Sequence, residues 1–347
     1  MRRGTTRWST SNRGPLPWLL SLACAACAGR APAAQVQAPA TAEEPAQAET
    51  MQPAAAAAQP TSPQPSPPPG AASEGSISRP ATLVVKDAFA APESVLYDIE
   101  ADVYLVSNVN GSPFAADDNG FISRVSPEGH VVTLKWIDGA DPKVHLNAPK
   151  GIAISAGVLF VADLDRIRKF DSQSGAALGD IPVPGATFIN DVTSGPDGII
   201  YFTDSGMRQT AKGFDRTGTD AVYKLDKSHP VAIARGKQLN APNGVMVDAA
   251  GVWVVTTSAK ELYDVKKGSK ARVQQLPSGM LDGIIRTSAG QLYISSWEQN
   301  QIFTGEPGGT FTKAFELQSP ADIGYDVKRH RLLVPLMLDN SLQFLPL

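Results

Sequence analysis

The feature that most constrains this fold is a segment that recurs six times. Its copies are PESVLYDIEADVYLVSN, PKGIAISAGVLFVADLD, INDVTSGPDGIIYFTDS, PNGVMVDAAGVWVVTTS, LDGIIRTSAGQLYISSW and PADIGYDVKRHRLLVPL. The second residues fall at 93, 150, 190, 243, 282 and 321, which gives spacings of 57, 40, 53, 39 and 39. Each copy has two short apolar runs separated by a turn. A basic period near 40 residues made of short strands is typical of β-propeller blades.

We therefore predict an all-β domain over residues 81–347, folded as one six-bladed β-propeller and monomeric. No long stretch of helical periodicity interrupts the short apolar runs in this region. A single blade cannot bury both of its faces, and closing the ring removes the exposed strand edges that promote aggregation.

Residues 1–27 have the pattern of an export signal. Arginines at positions 2, 3, 7 and 13 precede an apolar stretch, Leu16 to Ala26, that is too short for a permanent membrane span. The segment ACAACAGR resembles the cleavage box of bacterial lipoproteins, which implies a lipid on Cys27. The alternative is ordinary cleavage after Ala28 or Ala34.

Residues 28–80 are mostly Ala, Pro, Gln and Ser, a composition with too few large apolar groups to offset the entropy of ordering. This composition predicts a disordered tether between the export signal and the propeller. We expect an exported lipoprotein of the periplasm or cell envelope that contacts the membrane only through its lipid.

The charge pattern argues against nucleic acid as a partner. The net charge is -3, and no Lys/Arg cluster breaks the mixed-sign pattern of the body. Cys24 and Cys27 are the only two cysteines, so residues 81–347 cannot form a disulfide.

The second position of each repeat defines a column of mostly polar residues. The first strand of a propeller blade lines the central channel, so this column should converge on one axis. Its members are Glu93, Lys150, Asn190, Asn243, Asp282 and Ala321, with Asp322 one place later. Asn and Asp beside Gly are also common turn formers, which is the alternative for any single member.

Four column members predict a calcium site. Glu93, Asn190, Asn243 and Asp282 would bring two carboxylates and two amide carbonyls to one point. Calcium takes about six to eight oxygen ligands and completes its shell with water. Zinc does not suit the set, because the body has no cysteine and its four histidines fall outside the column.

In these motifs the sequence resembles the senescence marker protein/gluconolactonase family, six-bladed calcium-dependent lactonases that include diisopropylfluorophosphatase-like phosphotriesterases. The resemblance spans about residues 85–345 and rests on PESVLY, FINDV, APNGV and LDGII in the family's order. It implies that the four column residues hold the metal, and that Asn190 acts more on substrate and water.

The site chemistry and the resemblance together give further candidates. A divalent ion polarises an ester carbonyl while a carboxylate removes a proton from water. Asp282 is the first candidate for this base and Asp322 the second. Asn190 and Asp191 are candidates for substrate binding.

Lys150 departs from the family pattern. Its positive charge would repel a divalent ion a few ångströms away. Three roles are open: pairing with Asp322 or Asp191, replacing the ion by bonding Glu93 and Asp282, or contacting the substrate as a binding and catalytic residue.

Two blades carry extra residues after their second strands. These insertions, NVNGSPFAADDNG and SGMRQTAKGFDRTGTD, should stand around the channel mouth or be ordinary surface loops. We predict an exported calcium-dependent lactonase or related esterase acting on a small molecule. The alternative is a non-catalytic NHL-like propeller that binds a ligand or protein at the cell envelope.

Overall fold

The first strand of the described chain completes the last blade. The computed structural model describes residues 82–347, so the predicted signal, tether and lipidation site at Cys27 lie outside it. Strand β1 (Leu83–Val85) pairs with β26 (Ser341–Pro346) as the outermost strand of blade six. The two ends of the domain are thereby joined in one sheet.

All six blades are four-stranded antiparallel sheets. From the channel outward, blade one consists of β2 (Pro92–Asp98), β3 (Val103–Asn108), β4 (Phe121–Val125) and β5 (Val131–Asp138). Blade two consists of β6 (Pro149–Ser155), β7 (Val158–Asp163), β8 (Arg166–Asp171) and β9 (Ala177–Pro182). Blade three consists of β10 (Ile189–Ser194), β11 (Ile200–Asp204), β14 (Ala221–Asp226) and β15 (His229–Arg235). Blade three also carries the separate hairpin β12 (Met207–Thr210) and β13 (Gly213–Arg216).

The remaining blades follow the same order. Blade four consists of β16 (Pro242–Asp248), β17 (Gly251–Thr256), β18 (Glu261–Lys266) and β19 (Ser269–Gln275). Blade five consists of β20 (Leu281–Arg286), β21 (Leu292–Ser296), β22 (Gln301–Gly305) and β23 (Thr312–Glu316). Blade six consists of β24 (Gly324–Asp326), β25 (Arg331–Leu336), β26 and β1. Two short 3-10 helices, Lys237–Leu239 and Met337–Asp339, lie between strands.

The inner strands close into a ring. Each of β2, β6, β10, β16, β20 and β24 contacts the next, and β24 returns to β2. Alternating apolar residues pack between neighbouring blades; Trp253 of blade four, for example, shares a buried cluster with Ile294 and Phe303 of blade five. This burial between sheets is the main favourable contribution to folding.

The predicted all-β, six-bladed propeller is confirmed. The sixth repeat differs from the expected register, because its inner strand begins at Gly324 rather than near Pro320. There Pro320 forms an isolated bridge with Leu336, and Asp322 pairs with Ser94 of the neighbouring blade one instead of extending β24. No helix within residues 82–347 has the length and apolarity needed to cross a membrane.

Candidate active site at the channel mouth

A β-bulge marks the column position in each of the first five inner strands. In blade one the register between β2 and β3 shifts between Pro92 and Ser94, and β6, β10, β16 and β20 shift at the matching position. A bulge takes a residue out of the ladder and re-aims its side chain. The repeat thus presents one polar side chain from each of these five blades at the same end of the channel.

The column residues are buried despite being polar. Their exposed fractions are 7% for Glu93, 1% for Lys150 and 6% for each of Asn190, Asn243 and Asp282. Polar side chains are seldom buried to this extent unless they are paired or bind a ligand.

The carboxylates lie close enough together to affect one another's ionisation. Burial raises the pKa of Glu93 well above its usual value, and the charges of Asp282 and Asp322 raise it further. Burial also raises the pKa of Asp322, with the charges of Asp191 and Asp282 adding to the effect. Glu93 Oε2 is buried and accepts no hydrogen bond from any described residue. The channel therefore brings several carboxyl groups together and leaves one oxygen of Glu93 without a hydrogen bond.

Asp282 is held by a residue that the sequence did not single out. Its Oδ2 accepts a 2.7 Å hydrogen bond from Nε1 of Trp297, the residue after β21. Burial raises the pKa of Asp282 to about 6, although hydrogen bonds with Trp297 and Asn243 act in the opposite direction. The carboxylate is thus held both from blade five and from blade four.

Asp191 links the inner strands β10 and β16 by hydrogen bonds. Its carboxylate accepts 2.6 Å hydrogen bonds from the backbone amides of Val192 and of Val245 in blade four. Burial raises its pKa to about 7 against these two bonds. A Cβ on Gly151 would lie 2.3 Å from Asp191 Oδ1, so only glycine fits opposite this carboxylate. The contact of Asp191 with a substrate stays a prediction.

The two column amides are oriented by acceptors within the blades. Asn243 Nδ2 donates to the Leu281 carbonyl at 3.1 Å, which fixes its nitrogen there because a carbonyl can only accept. Asn190 Nδ2 donates at 3.0 Å to Ser205 Oγ, whose own proton goes to the Pro242 carbonyl. Both Oδ1 atoms consequently lie on the other side of their amide groups, free to bind a cation.

Lys150 does not neutralise the carboxylates directly. Its Nζ donates to the Ala148 carbonyl at 3.0 Å and lies 4.5 Å from the centroid of the Phe188 ring. No ion pair joins it to a carboxylate in residues 82–347. Burial lowers its pKa, while the charges of Asp163 and Glu93 oppose this shift. Of the three roles considered, the first two require ion pairs that the structure does not contain.

The donor set fits a calcium ion. Two carboxylates and two oriented amide carbonyls are hard oxygen ligands, and a cation would satisfy the orphaned Oε2 of Glu93. In the described part of the chain no three His, Cys, Asp or Glu side chains cluster as ligands of one ion. Half of the predicted set is Asn, so an ion held there would need amide oxygens and water to complete its shell.

The two insertions meet at this end of the molecule. Ser112 Oγ in the β3–β4 link donates to Gln209 Oε1 of hairpin β12–β13 at 3.2 Å. Phe114 of the first insertion packs on Phe188, whose ring lies over Lys150. The prediction that the insertions stand beside the channel mouth is confirmed.

The propeller fold recurs in solved structures of low sequence identity. A gluconolactonase from Xanthomonas campestris is 20% identical with a TM-score of 0.59, covering 76% of this chain and 89% of that one. A streptogramin B lyase is 14% identical with a TM-score of 0.54, covering 76% and 97%. A luciferin-regenerating enzyme is 13% identical with a TM-score of 0.56, covering 77% and 95%. These similarities establish the fold, which serves more than one reaction.

Sequence comparison identifies the family. None of the curated proteins compared with this sequence is significantly similar to it. The profile of the SMP-30/Gluconolactonase/LRE-like region matches residues 127–323, more than half of the 347 residues. The match includes Asn190, Asn243 and Asp282 and begins after Glu93. Membership implies a lactonase-type propeller with a small-molecule substrate, and the chain belongs to the SMP-30/gluconolactonase/LRE-like family.

Proposed function

We propose that this protein is a calcium-dependent hydrolase that opens a lactone or a related ester. The observation that carries the proposal is the orphaned Oε2 of Glu93, buried among carboxylates that no described lysine or arginine pairs with. Such a group is costly in a folded protein unless a cation satisfies it. Family membership supplies the reaction class.

Glu93, Asn190, Asn243 and Asp282 are the residues that would hold one calcium ion. When bound, the ion polarises the ester carbonyl and lowers the pKa of a neighbouring water. The ordered amides of Asn190 and Asn243 present their carbonyl oxygens without side-chain rearrangement, because both Nδ2 atoms are already engaged.

Asp282 is the proposed general base. Trp297 fixes one of its oxygens, which orients the other towards the water that attacks the substrate. The water oxygen bonds to the carbonyl carbon and its proton passes to Asp282. The carbon–oxygen bond of the ring then breaks, and the alkoxide takes that proton to give a hydroxy acid. Asp322, whose Oδ2 is bonded by Ser94 Oγ at 2.5 Å, is the second candidate.

Lys150 is proposed to bind the substrate and stabilise the developing oxyanion. An ammonium group has three N–H donors; that of Lys150 donates to Ala148 O and lies 4.5 Å from the ring centroid of Phe188, so this hydrogen bond uses one of the three. The proposed role gives a further N–H to a substrate oxygen. A cation beside the polarised carbonyl stabilises the charge that forms in the transition state.

We also propose that the protein is exported and attached to the cell envelope by lipid on Cys27. The arginine-rich start, the short apolar stretch and the small residues around Cys27 support this. The Ala/Pro-rich residues 28–80 would then act as a spacer between the membrane and the propeller.

A hydrolysis screen tests the proposed function. The full chain is assayed on lactones, aryl esters and phosphotriesters, with and without a chelator, beside Asp282→Ala and the control Asp197→Ala. Asp197 lies in an exposed turn of blade three, and its side chain bonds the Ile199 amide away from the column. We expect hydrolysis that the chelator and Asp282→Ala abolish. A wild type that binds no calcium and hydrolyses none of the three classes would favour the NHL-like binding propeller instead.

A further inference from the structure

Three phenylalanines form a continuous wall at the channel mouth. Phe114 of the first insertion stacks on Phe214 of hairpin β12–β13, with ring centroids 5.0 Å apart. Its other contact is Phe188, with centroids 4.4 Å apart. We call Phe114, Phe188 and Phe214 the aromatic wall. It draws on two blades and is held by the hydrogen bond between Ser112 and Gln209.

The aromatic wall reaches the candidate site directly. Phe188 lies two residues before Asn190, and its ring faces the ammonium of Lys150 at 4.5 Å. Exposure increases from Phe188 at 7% to Phe214 at 41%, with Phe114 partly buried between them. The wall therefore runs outward from the column residues to solvent.

A fourth aromatic residue borders the site from another blade. Trp297 of blade five is partly buried and bonds Asp282. Aromatic residues make up only 7% of the whole sequence, so four of them around one channel mouth are a marked local enrichment. The channel mouth thus combines aromatic side chains with the polar column residues, and aromatic linings favour the apolar part of a ligand.

We infer that the substrate carries an apolar alkyl or aryl substituent beside its ester or lactone group, rather than a ring bearing many hydroxyl groups. This inference rests on the proposed function and specifies its substrate class. An apolar chain gains free energy by leaving water for the aromatic wall. Hydroxyl groups placed against the rings would lose their hydrogen bonds to water without replacement.

A homologous series of substrates tests this inference. The full chain with calcium is assayed on γ-lactones with alkyl side chains of increasing length and on a polyhydroxylated aldonolactone. We expect kcat/KM to rise about fourfold per added methylene until the wall is covered. A kcat/KM independent of chain length, or highest for the aldonolactone, would overturn the inference.

Two variants test whether the aromatic wall causes the preference for alkyl chains. Phe214→Ser and Phe114→Ala should lower kcat/KM for the longest alkyl lactone roughly tenfold, mainly through KM, and lower it much less for the unsubstituted lactone. Val231→Ser is the control, because Val231 is also 41% exposed but lies on the outer strand β15. An equal loss on every substrate, or no loss at all, would contradict the assignment.

A binding measurement separates this inference from the proposed function. The hydroxy acids with the same alkyl chains are titrated calorimetrically into wild type, Phe214→Ser and the Val231→Ser control. Affinity that rises with chain length and falls in Phe214→Ser supports the wall even if no lactone is hydrolysed. If the affinity depends neither on the length of the alkyl chain nor on the Phe214→Ser substitution, the inference about the substrate is overturned, even if hydrolysis is found.

Discussion

The backbone amide of Asp322 donates a 2.9 Å hydrogen bond to the carbonyl of Glu93, where the last blade meets the first. Ser94, the next residue, donates from Oγ to Asp322 Oδ2. Closure of the ring and placement of two of its buried carboxylates therefore depend on the same contact. Changes that separate the inner strands should impair stability and the site together.

Gly283 is predicted to be required for this contact. A Cβ there would lie 2.3 Å from the Ile323 nitrogen and 2.6 Å from Asp322 Oδ1. Gly283→Ala should cost about 1–3 kcal/mol of unfolding free energy by overpacking, and should reduce hydrolysis by displacing Asp322. Denaturant unfolding and steady-state assays measure both effects.

Gly309→Ala is the control for this substitution. Its Cβ would meet nothing closer than 3.4 Å, and its backbone does not have the left-handed conformation. It should unfold within about 0.5 kcal/mol of the wild type. If Gly283→Ala had the same unfolding free energy and the same hydrolysis rate as Gly309→Ala, the close packing of Gly283 against Asp322 and Ile323 would not be required.

The seam between blades six and one should weaken in acid. Asp326 Oδ2 accepts bonds from Tyr104 and Arg329 at 2.5 and 3.1 Å. Burial alone would raise the pKa of Asp326, but these bonds outweigh it and hold the pKa below its usual value. The stabilisation is therefore complete above the unfolded pKa of about 3.9 and is lost as pH falls through the folded pKa.

Asp326→Asn should lower the unfolding free energy at pH 7 by roughly 1.5–3 kcal/mol, since bonds to a charged group are lost. It should also flatten the dependence of stability on pH below about 4. Denaturant unfolding between pH 7 and pH 2.5 compares the two proteins. Parallel pH profiles would show that Asp326 contributes nothing specific to acid lability.

Lys150→Met should raise KM while leaving calcium affinity nearly unchanged. Its Nζ is directed at Ala148 and Phe188 rather than paired with Glu93 or Asp282, so its removal takes a donor from the substrate. Lys135→Met, on the outer strand β5, is the control. Calcium binding tightened severalfold with KM intact would instead show that Lys150 only opposes the ion.

Cys27→Ser should release the protein from membranes or block its processing, whereas Cys24→Ser should not. Only the cysteine that becomes the new N-terminus can carry the lipid. Membrane fractionation and intact mass of the wild type and both variants test this. If the fully processed wild type is soluble and lacks the mass of a lipid, the lipid anchor is contradicted and the protein is secreted without one.

The fold could be predicted from the sequence because each blade repeats one pattern. Five of the six column residues begin regular inner strands at the predicted place, since alternating apolar residues fix the register wherever a face is buried. The prediction for the sixth copy, Ala321, was wrong, because the next residue, Asp322, pairs with Ser94 of the neighbouring blade one. The contribution of β1 to blade six could not be found, because three residues outside the repeat carry no periodic signal.

The site was only partly predictable. The aromatic wall could not be predicted because contacts between blades one and three leave no mark on sequence spacing. Trp297 is the last residue of the fifth copy, but the other copies have no aromatic residue there, so the repeat gave it no significance. The sequence interpretation considered Asn and Asp beside the glycines that follow several column residues as turn formers and assigned no role to the glycine itself. Gly151 and Gly283 instead make room for the carboxylates of Asp191 and Asp322 on the next blade. Glycine recurs at the repeat position after the column residue, and this recurrence was the signal in the sequence that could have indicated the close approach of the next blade.

Calcium binding by the full chain tests the central claim most directly. Protein stripped with a chelator is titrated with calcium by calorimetry, beside Asp282→Ala and the control Asp197→Ala. We predict one ion bound by the wild type and the control, and none by Asp282→Ala, because half of the charge among the four proposed ligands is lost. No binding by the wild type, or undiminished binding by Asp282→Ala, would contradict the account.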